Sequence, residues 1–170
     1  MKTLYLIRHA KSSWSNPHLA DFDRGLNNRG KRDAPFMGTR LAKYGIRPDC
    51  ILASSAKRAR KTAKIIADKV GYPRKKIEFD EDIYHAHSVK ELLEILKKVP
   101  DKNGSLFLVG HNHTITEFAG RLIDRTIHNI PTTGIVAMTF PVKRWSRVAF
   151  GKGKLKFFDY PKKHAVKGKK

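Results

Sequence analysis

The stretch Leu4-Tyr5-Leu6-Ile7 runs without a polar break and ends on Arg8 and His9. A short uninterrupted apolar run suits a strand buried on both faces of a parallel sheet. In open parallel sheets ligands bind beyond the carboxyl ends of the strands, so charged residues there are placed to meet a substrate. Taken alone, the pattern is more simply that of a strand reaching solvent. Two further segments repeat it. Ser105-Leu106-Phe107-Leu108-Val109-Gly110 is followed by His111 and Asn112, and Cys50-Ile51-Leu52-Ala53 leads through Ser54 and Ser55 into a helix carrying Arg58 in its first turns. If these three strands are parallel neighbours, Arg8, His9, Arg58 and His111 converge on one pocket.

The spacing of apolar residues predicts helices from Asn28 to about Tyr44, Ala56 to Val70, Val89 to Lys98 and Thr114 to Leu122. Further strands are expected at Ile77–Phe79 and Ile135–Phe140, and a hairpin is expected from Arg147–Phe150, turning at Gly151–Gly153, into Lys154–Tyr160. Strands alternating with helices and closed by a hairpin specify an α/β fold, a three-layer α/β/α sandwich whose mostly parallel sheet has a C-terminal antiparallel edge. We expect a single domain over residues 1–160 and a basic tail, 161–170, that frays. The connection from Ala10 to Asn28 is long for a compact domain and is expected to line the site. Within it Lys11, Ser12 and Ser13 offer an ammonium group, hydroxyls and backbone N–H groups to an oxyanion, although ordinary turn chemistry explains them equally well.

Charge bears on partners. The chain has 36 Lys and Arg against 15 Asp and Glu in 170 residues, a formal net charge of +21, which makes polyanions and acidic proteins plausible partners. The excess is dispersed, and no nucleic-acid module accompanies it, so a solvated basic surface with weak nonspecific polyanion binding is the simpler reading. The one cysteine, Cys50, falls inside a predicted strand, which excludes a disulfide framework and fits a reducing cytoplasm. The first apolar run is too brief for a signal-peptide core, and no later run approaches a membrane span.

What chemistry brings two imidazoles and two guanidiniums together? Metal binding competes, because His85, His87 and His113 are also available, but guanidinium groups would repel the ion and no HExxH-type spacing occurs. No metal or cofactor is expected. A phosphoryl group fits better: paired N–H donors of arginine hold its oxygens, and an imidazole attacks phosphorus to give a covalent intermediate.

Four motifs then stand in order: Arg8-His9-Ala10-Lys11-Ser12-Ser13-Trp14, Leu26-Asn27-Asn28-Arg29-Gly30, Ser54 to Ala63, and Val109-Gly110-His111-Asn112. Together they resemble the histidine phosphatase superfamily, and its small SixA-type phosphohistidine phosphatases in particular, over about Met1 to Tyr160. Ala10 stands where the superfamily usually has glycine. The resemblance implies a phosphoglycerate mutase-like fold, with His9 as phosphoryl acceptor and Arg8, Arg58 and His111 around the phosphate. Lys11, Ser12 and Asn112 are further substrate-binding candidates. In larger relatives a carboxylate protonates the leaving oxygen, and Glu81 is the nearest match. The expected activity is removal of phosphate from phosphohistidine on a protein such as a phosphotransfer domain. The alternatives are a small-molecule phosphomonoesterase on the same fold and a non-catalytic polyanion-binding protein.

Overall fold

The computed structural model describes residues 1–165. Its strands are β1 (Lys2–Arg8), β2 (Cys50–Ser54), β3 (Glu78–Asp80), β4 (Ser105–Gly110), β5 (Ile135–Phe140) and β6 (Lys154–Asp159). Its helices are α1 (Asn28–Lys43), α2 (Lys57–Val70), α3 (Glu81–His85), α4 (Val89–Lys97) and α5 (Thr114–Ile123). The strands form one sheet in the order β3-β2-β4-β1-β5-β6; β3, β2, β4 and β1 are parallel, and β5 and β6 complete it antiparallel.

Side chains alternate across the sheet, and both faces are covered. Leu4, Leu6, Leu106 and Leu108 point into a core shared with α4 and α5, through Leu92, Leu96, Phe118 and Leu122. Tyr5, Ile7, Phe107 and Val109 face Met37 and Leu41 of α1 and Ala63 and Ile66 of α2. This double burial accounts for the unbroken apolar runs. Helices α1 and α2 cross closely at Gly38, where a Cβ would lie 2.9 Å from that of Lys69.

Three details depart from the sequence reading. Arg147–Phe150 is not a strand: Trp145–Arg147 forms a 3-10 turn, and the C-terminal hairpin pairs β6 with β5 instead. The reason is Trp145, wholly buried, whose Nε1–H donates to the Asn103 carbonyl at 2.7 Å and whose backbone N–H donates to Asp101 at 2.9 Å. That anchor holds the segment under α4, away from any strand register. The acidic run after β3 becomes the short helix α3, which the sequence reading did not assign. Within the tail expected to fray, Pro161–His164 forms a 3-10 turn in which Lys163 Nζ donates to the Phe158 carbonyl and His164 bonds Asp159. Residues 166–170 lie outside the described residues.

Candidate active site

Strand register levels the site. Arg8 pairs with Gly110 and Ala53 with Val109, so β1, β4 and β2 end side by side. The residues just beyond those ends come together: the His9 and His111 rings lie 5.1 Å apart, and Arg58 Nε donates to His9 Nε2 at 3.4 Å. Arg8 lies close enough to both rings to act on them electrostatically. The four residues that the sequence placed on one pocket thus share one end of the sheet.

The turn carrying His9 is held from several sides. Ala10 N–H donates to Thr62 Oγ1 of α2 at 2.9 Å, and that hydroxyl donates in turn to the Arg58 carbonyl at 2.8 Å, so the turn and Arg58 are fixed to the same helix. The Ala10 methyl is fully buried with Leu26 and Ala34, which gives a side chain a packing role where glycine is usual. Thr133 N–H reaches the carbonyls of Arg8 and His9 at 3.0 and 3.2 Å. It does so from a left-handed φ of 63°, a conformation rare for a β-branched residue.

The Leu26–Gly30 motif braces the same turn. Asn27 caps α1 by accepting from Gly30 N–H at 2.9 Å, while its own N–H donates to the Lys11 carbonyl at 3.0 Å. A Cβ on Gly30 would lie 2.3 Å from the Lys11 carbonyl oxygen, so the helix start and the turn can meet this closely only at glycine. Gly30→Ala is therefore expected to lower stability by about 1–3 kcal/mol, the scale of overpacking, with a lower midpoint in urea unfolding.

Electrostatics fix the state of the imidazoles. His9 Nδ1–H donates to the Ala10 carbonyl at 2.7 Å; a carbonyl only accepts, so the proton is on Nδ1 and the lone pair on Nε2. Burial, then the charge of His111, with smaller contributions from Arg58 and Arg8, pulls His9 down to about 3 against the raising effect of that hydrogen bond. Burial and then Arg58 pull His111 down to about 4. Both rings are neutral in the folded protein at pH values where histidines of the unfolded chain, near 6.5, take up protons. Their contribution to stability is complete above about 6.5, falls as the pH drops below it, and stops falling near the folded values of about 3 and about 4. Thermal melts should show a decline from pH 7 toward 4.5 that is shallower in His111→Gln. Ring resonances of His9 or His111 titrating near 6.5 in the folded protein would contradict this.

The remaining candidates take different places. His111 Nε2 bonds Ser54 Oγ at 2.7 Å, and Nδ1 is buried with no hydrogen-bond partner among the described residues. Asn112 turns toward its own neighbours: Nδ2 donates to Asn129 at 2.6 Å, and its carbonyl oxygen accepts from Thr116 Oγ1. Thr116 Oγ1 also accepts from Ile130 N–H at 3.0 Å, and the Ile130 carbonyl accepts from Arg8 Nη1 at 2.9 Å, so Asn112 acts on Arg8 through two intermediaries. Ser12 forms a bridge with Leu26, and Lys11 lines a cavity beside Arg8. Glu81, the first residue of α3, is exposed and makes no hydrogen bond to the four central residues.

The carboxylate that does reach the cluster is Asp21. It lies in a 3-10 turn (Asp21–Asp23) of the long loop after β1. Its Oδ2 accepts from Arg58 Nη2 at 3.0 Å and from the Tyr84 hydroxyl at 2.8 Å, and its backbone carbonyl accepts from Arg58 Nη1 at 2.7 Å. Burial pushes this carboxyl up, but the hydrogen bonds from Tyr84 and Arg58 and the charge of Arg58 outweigh it, leaving Asp21 below the usual carboxylate range. Tyr84 also packs edge-on against His111, with centroids 5.6 Å apart. Neither Asp21 nor Tyr84 is assigned a role from sequence; the length of the loop after β1 is the one signal that points to Asp21.

Comparison with known proteins bears on the family and the fold. The profile of the histidine phosphatase superfamily (branch 1) matches residues 4–87. An uncharacterised chloroplast protein of Arabidopsis thaliana is 32% identical over 134 residues, which cover 74% of this chain and 61% of that protein, so the chain spans about three fifths of that relative's length. A structure assigned as the phosphohistidine phosphatase SixA of Agrobacterium tumefaciens superposes with a TM-score of 0.79 at 28% identity, over 94% of this chain and 98% of that one. A structure of the protein histidine phosphatase SixA complexed with tungstate superposes with a TM-score of 0.80 at 18% identity, over 95% and 98%, a likeness of fold.

Proposed function

Since this chain belongs to the histidine phosphatase superfamily and is of its SixA type, we propose that it removes phosphate from phosphohistidine on a protein by way of a phosphorylated His9. The observation that carries this reading is the tautomer of His9: the proton on Nδ1 is held by the Ala10 carbonyl, which leaves Nε2 unprotonated, its lone pair engaged only by the long 3.4 Å contact from Arg58 Nε that an incoming phosphoryl group would displace. A buried imidazole kept neutral in this way is a ready nucleophile over the physiological range.

The steps follow from the positions. The substrate imidazole takes a proton from solvent on its unphosphorylated nitrogen, Nε2 of His9 attacks phosphorus, and the P–N bond breaks so that the ring leaves as neutral imidazole. Charge on the equatorial oxygens is met by the guanidiniums of Arg8 and Arg58 and by His111. Ser54 Oγ accepts from Ala56 N–H at 3.2 Å and can give its own proton to His111 Nε2, which leaves Nδ1–H of His111 as the donor to a phosphoryl oxygen. These groups supply the neutralisation that many phosphoryl transfers take from Mg²⁺. Water then attacks phospho-His9, the P–N bond breaks, and phosphate leaves. Once protonated on its other nitrogen, the substrate ring leaves as neutral imidazole, whose conjugate acid has a pKa of about 6.5, and needs little help from a protein acid. Glu81, exposed beside the site, would matter only for an alkoxide leaving group.

Asp21 holds two of the Arg58 nitrogens through its carboxylate and its carbonyl, and a bound phosphoryl group would compete for the same donors. The experiment that tests the reading is phosphate release from a phosphohistidine protein and from a small aryl phosphate ester, measured side by side. The reading predicts the higher kcat/KM on the phosphohistidine protein. A preference for the ester would turn it toward small-molecule phosphomonoesters, and turnover of neither would overturn it.

A further inference from the structure

Beside Arg8, and lined also by Arg29, Arg32 and Asp33 of α1, lies a cavity of about 620 Å³. That volume is in the range of ligand sites and far exceeds what one phosphoryl group fills. Its wall carries five cations, Arg8, Lys11, Arg29, Arg32 and Lys162, against one carboxylate, Asp33, among the described residues.

Asp33 is buried, and it aligns the two arginines rather than neutralising the cavity. It lies 3.8 Å from Arg29 Nε, one turn before it, and accepts from Arg32 Nε at 3.2 Å. Arg29 is held a second time by Thr132 Oγ1, which accepts from its Nη2 at 3.1 Å, and Thr132 precedes the Thr133 that ties down Arg8 and His9. Two guanidiniums are therefore placed by side-chain contacts, and both belong to the helix whose start is braced against the catalytic turn. The crowding has a cost: burial, and next the charge of Arg29, lowers the affinity of Arg8 for its proton, and Arg8 Nε is buried without a partner among the described residues. An anion between Arg29 and Arg8 would relieve both.

We propose that this cavity is a second anion subsite, in which Arg29, Arg32, Lys11 and Lys162 hold a carboxylate or phosphate carried by the same substrate molecule as the phosphoryl group that Arg8 and His9 receive. The inference rests on the function proposed above and adds a requirement to it: a good substrate is at least doubly anionic. Two sources supply such a group, namely an acidic side chain flanking the phosphohistidine of a protein, or a second phosphate on a small ester. Guanidinium forks hold either through paired charge-assisted hydrogen bonds.

The test compares matched pairs. One pair is a phosphohistidine peptide flanked by glutamates and the same peptide flanked by glutamines; the other is a phosphate ester with and without a second phosphate. The parent should favour the more anionic member of at least one pair by about tenfold in kcat/KM, mostly through KM, which is the worth of one such contact. Preference within the peptide pair alone identifies the protein source, and preference within the ester pair alone the small-molecule source. In Arg29→Gln/Arg32→Gln the preference should fall to near unity; being a ratio, it does not depend on the fraction folded. No preference in either pair, or a preference that survives in the double variant, overturns the subsite. Equilibrium binding of the same pairs to His9→Ala gives the readout if no substrate turns over: unequal binding would uphold the subsite while the phosphatase reading failed.

Discussion

His9→Ala is expected to fold, to keep its affinity for phosphate, and to release phosphate from any substrate at least roughly 10⁴-fold more slowly than the parent, the scale of loss when a nucleophile is removed. Nothing else in the site can take its place. His111 lies 5.1 Å away by ring centroid, but its Nε2 is engaged with Ser54, and its Nδ1 carries the proton and so has no lone pair to attack with. The fold should tolerate the change, because the turn is held by backbone groups: Ala10 N–H on Thr62, and the carbonyls of Arg8 and His9 on Thr133 N–H. Removing a buried imidazole that resists protonation should even reduce the loss of stability on acidification. Turnover within tenfold of the parent would remove His9 from the mechanism.

Arg58→Gln should cost about 10²–10³-fold in kcat/KM, the magnitude found when a donor aimed at developing transition-state charge is lost. Arg58 stands at the start of α2, side chain almost fully enclosed, with Nε toward His9 and both terminal nitrogens toward Asp21. A glutamine keeps some reach but neither the charge nor the fork. Arg58→Lys restores charge without the planar pair of donors and should recover only a small part of the loss. If lysine restored full activity, Arg58 would be acting as a point charge and not as a clamp on two oxygens. Because Asp21 is tied to the cluster mainly by Arg58 and Tyr84, the 3-10 turn at Asp21–Asp23 should also become more open to proteolysis in both variants.

The central cluster was legible in the sequence because its members sit at strand ends. An unbroken apolar run announces a strand covered on both faces, and the first polar residues after it must lie at the sheet's edge. Pairing of Arg8 with Gly110 and of Ala53 with Val109 then brings three such ends level. What could not be read depends on contacts between distant segments. Asp21 and Tyr84 lie 63 residues apart, in a loop and a five-residue helix too short for a periodic signal, and meet only once the fold has formed. Thr133 occupies a left-handed position with none of the glycine or asparagine that usually marks one. Arg147–Phe150 has the composition of a strand, yet the buried indole of Trp145 fixes that segment against Asp101 and Asn103, and composition says nothing about such an anchor.

The most direct test of a phosphorylated His9 is to mix the protein with ³²P-labelled phosphohistidine protein, quench in alkali within milliseconds, and map the label by mass spectrometry. Label on His9 that is stable in alkali, is lost in acid, and appears and decays fast enough to account for turnover is the predicted result. Steady phosphate release with no label on the protein, or label on His111 or another residue instead, would contradict it.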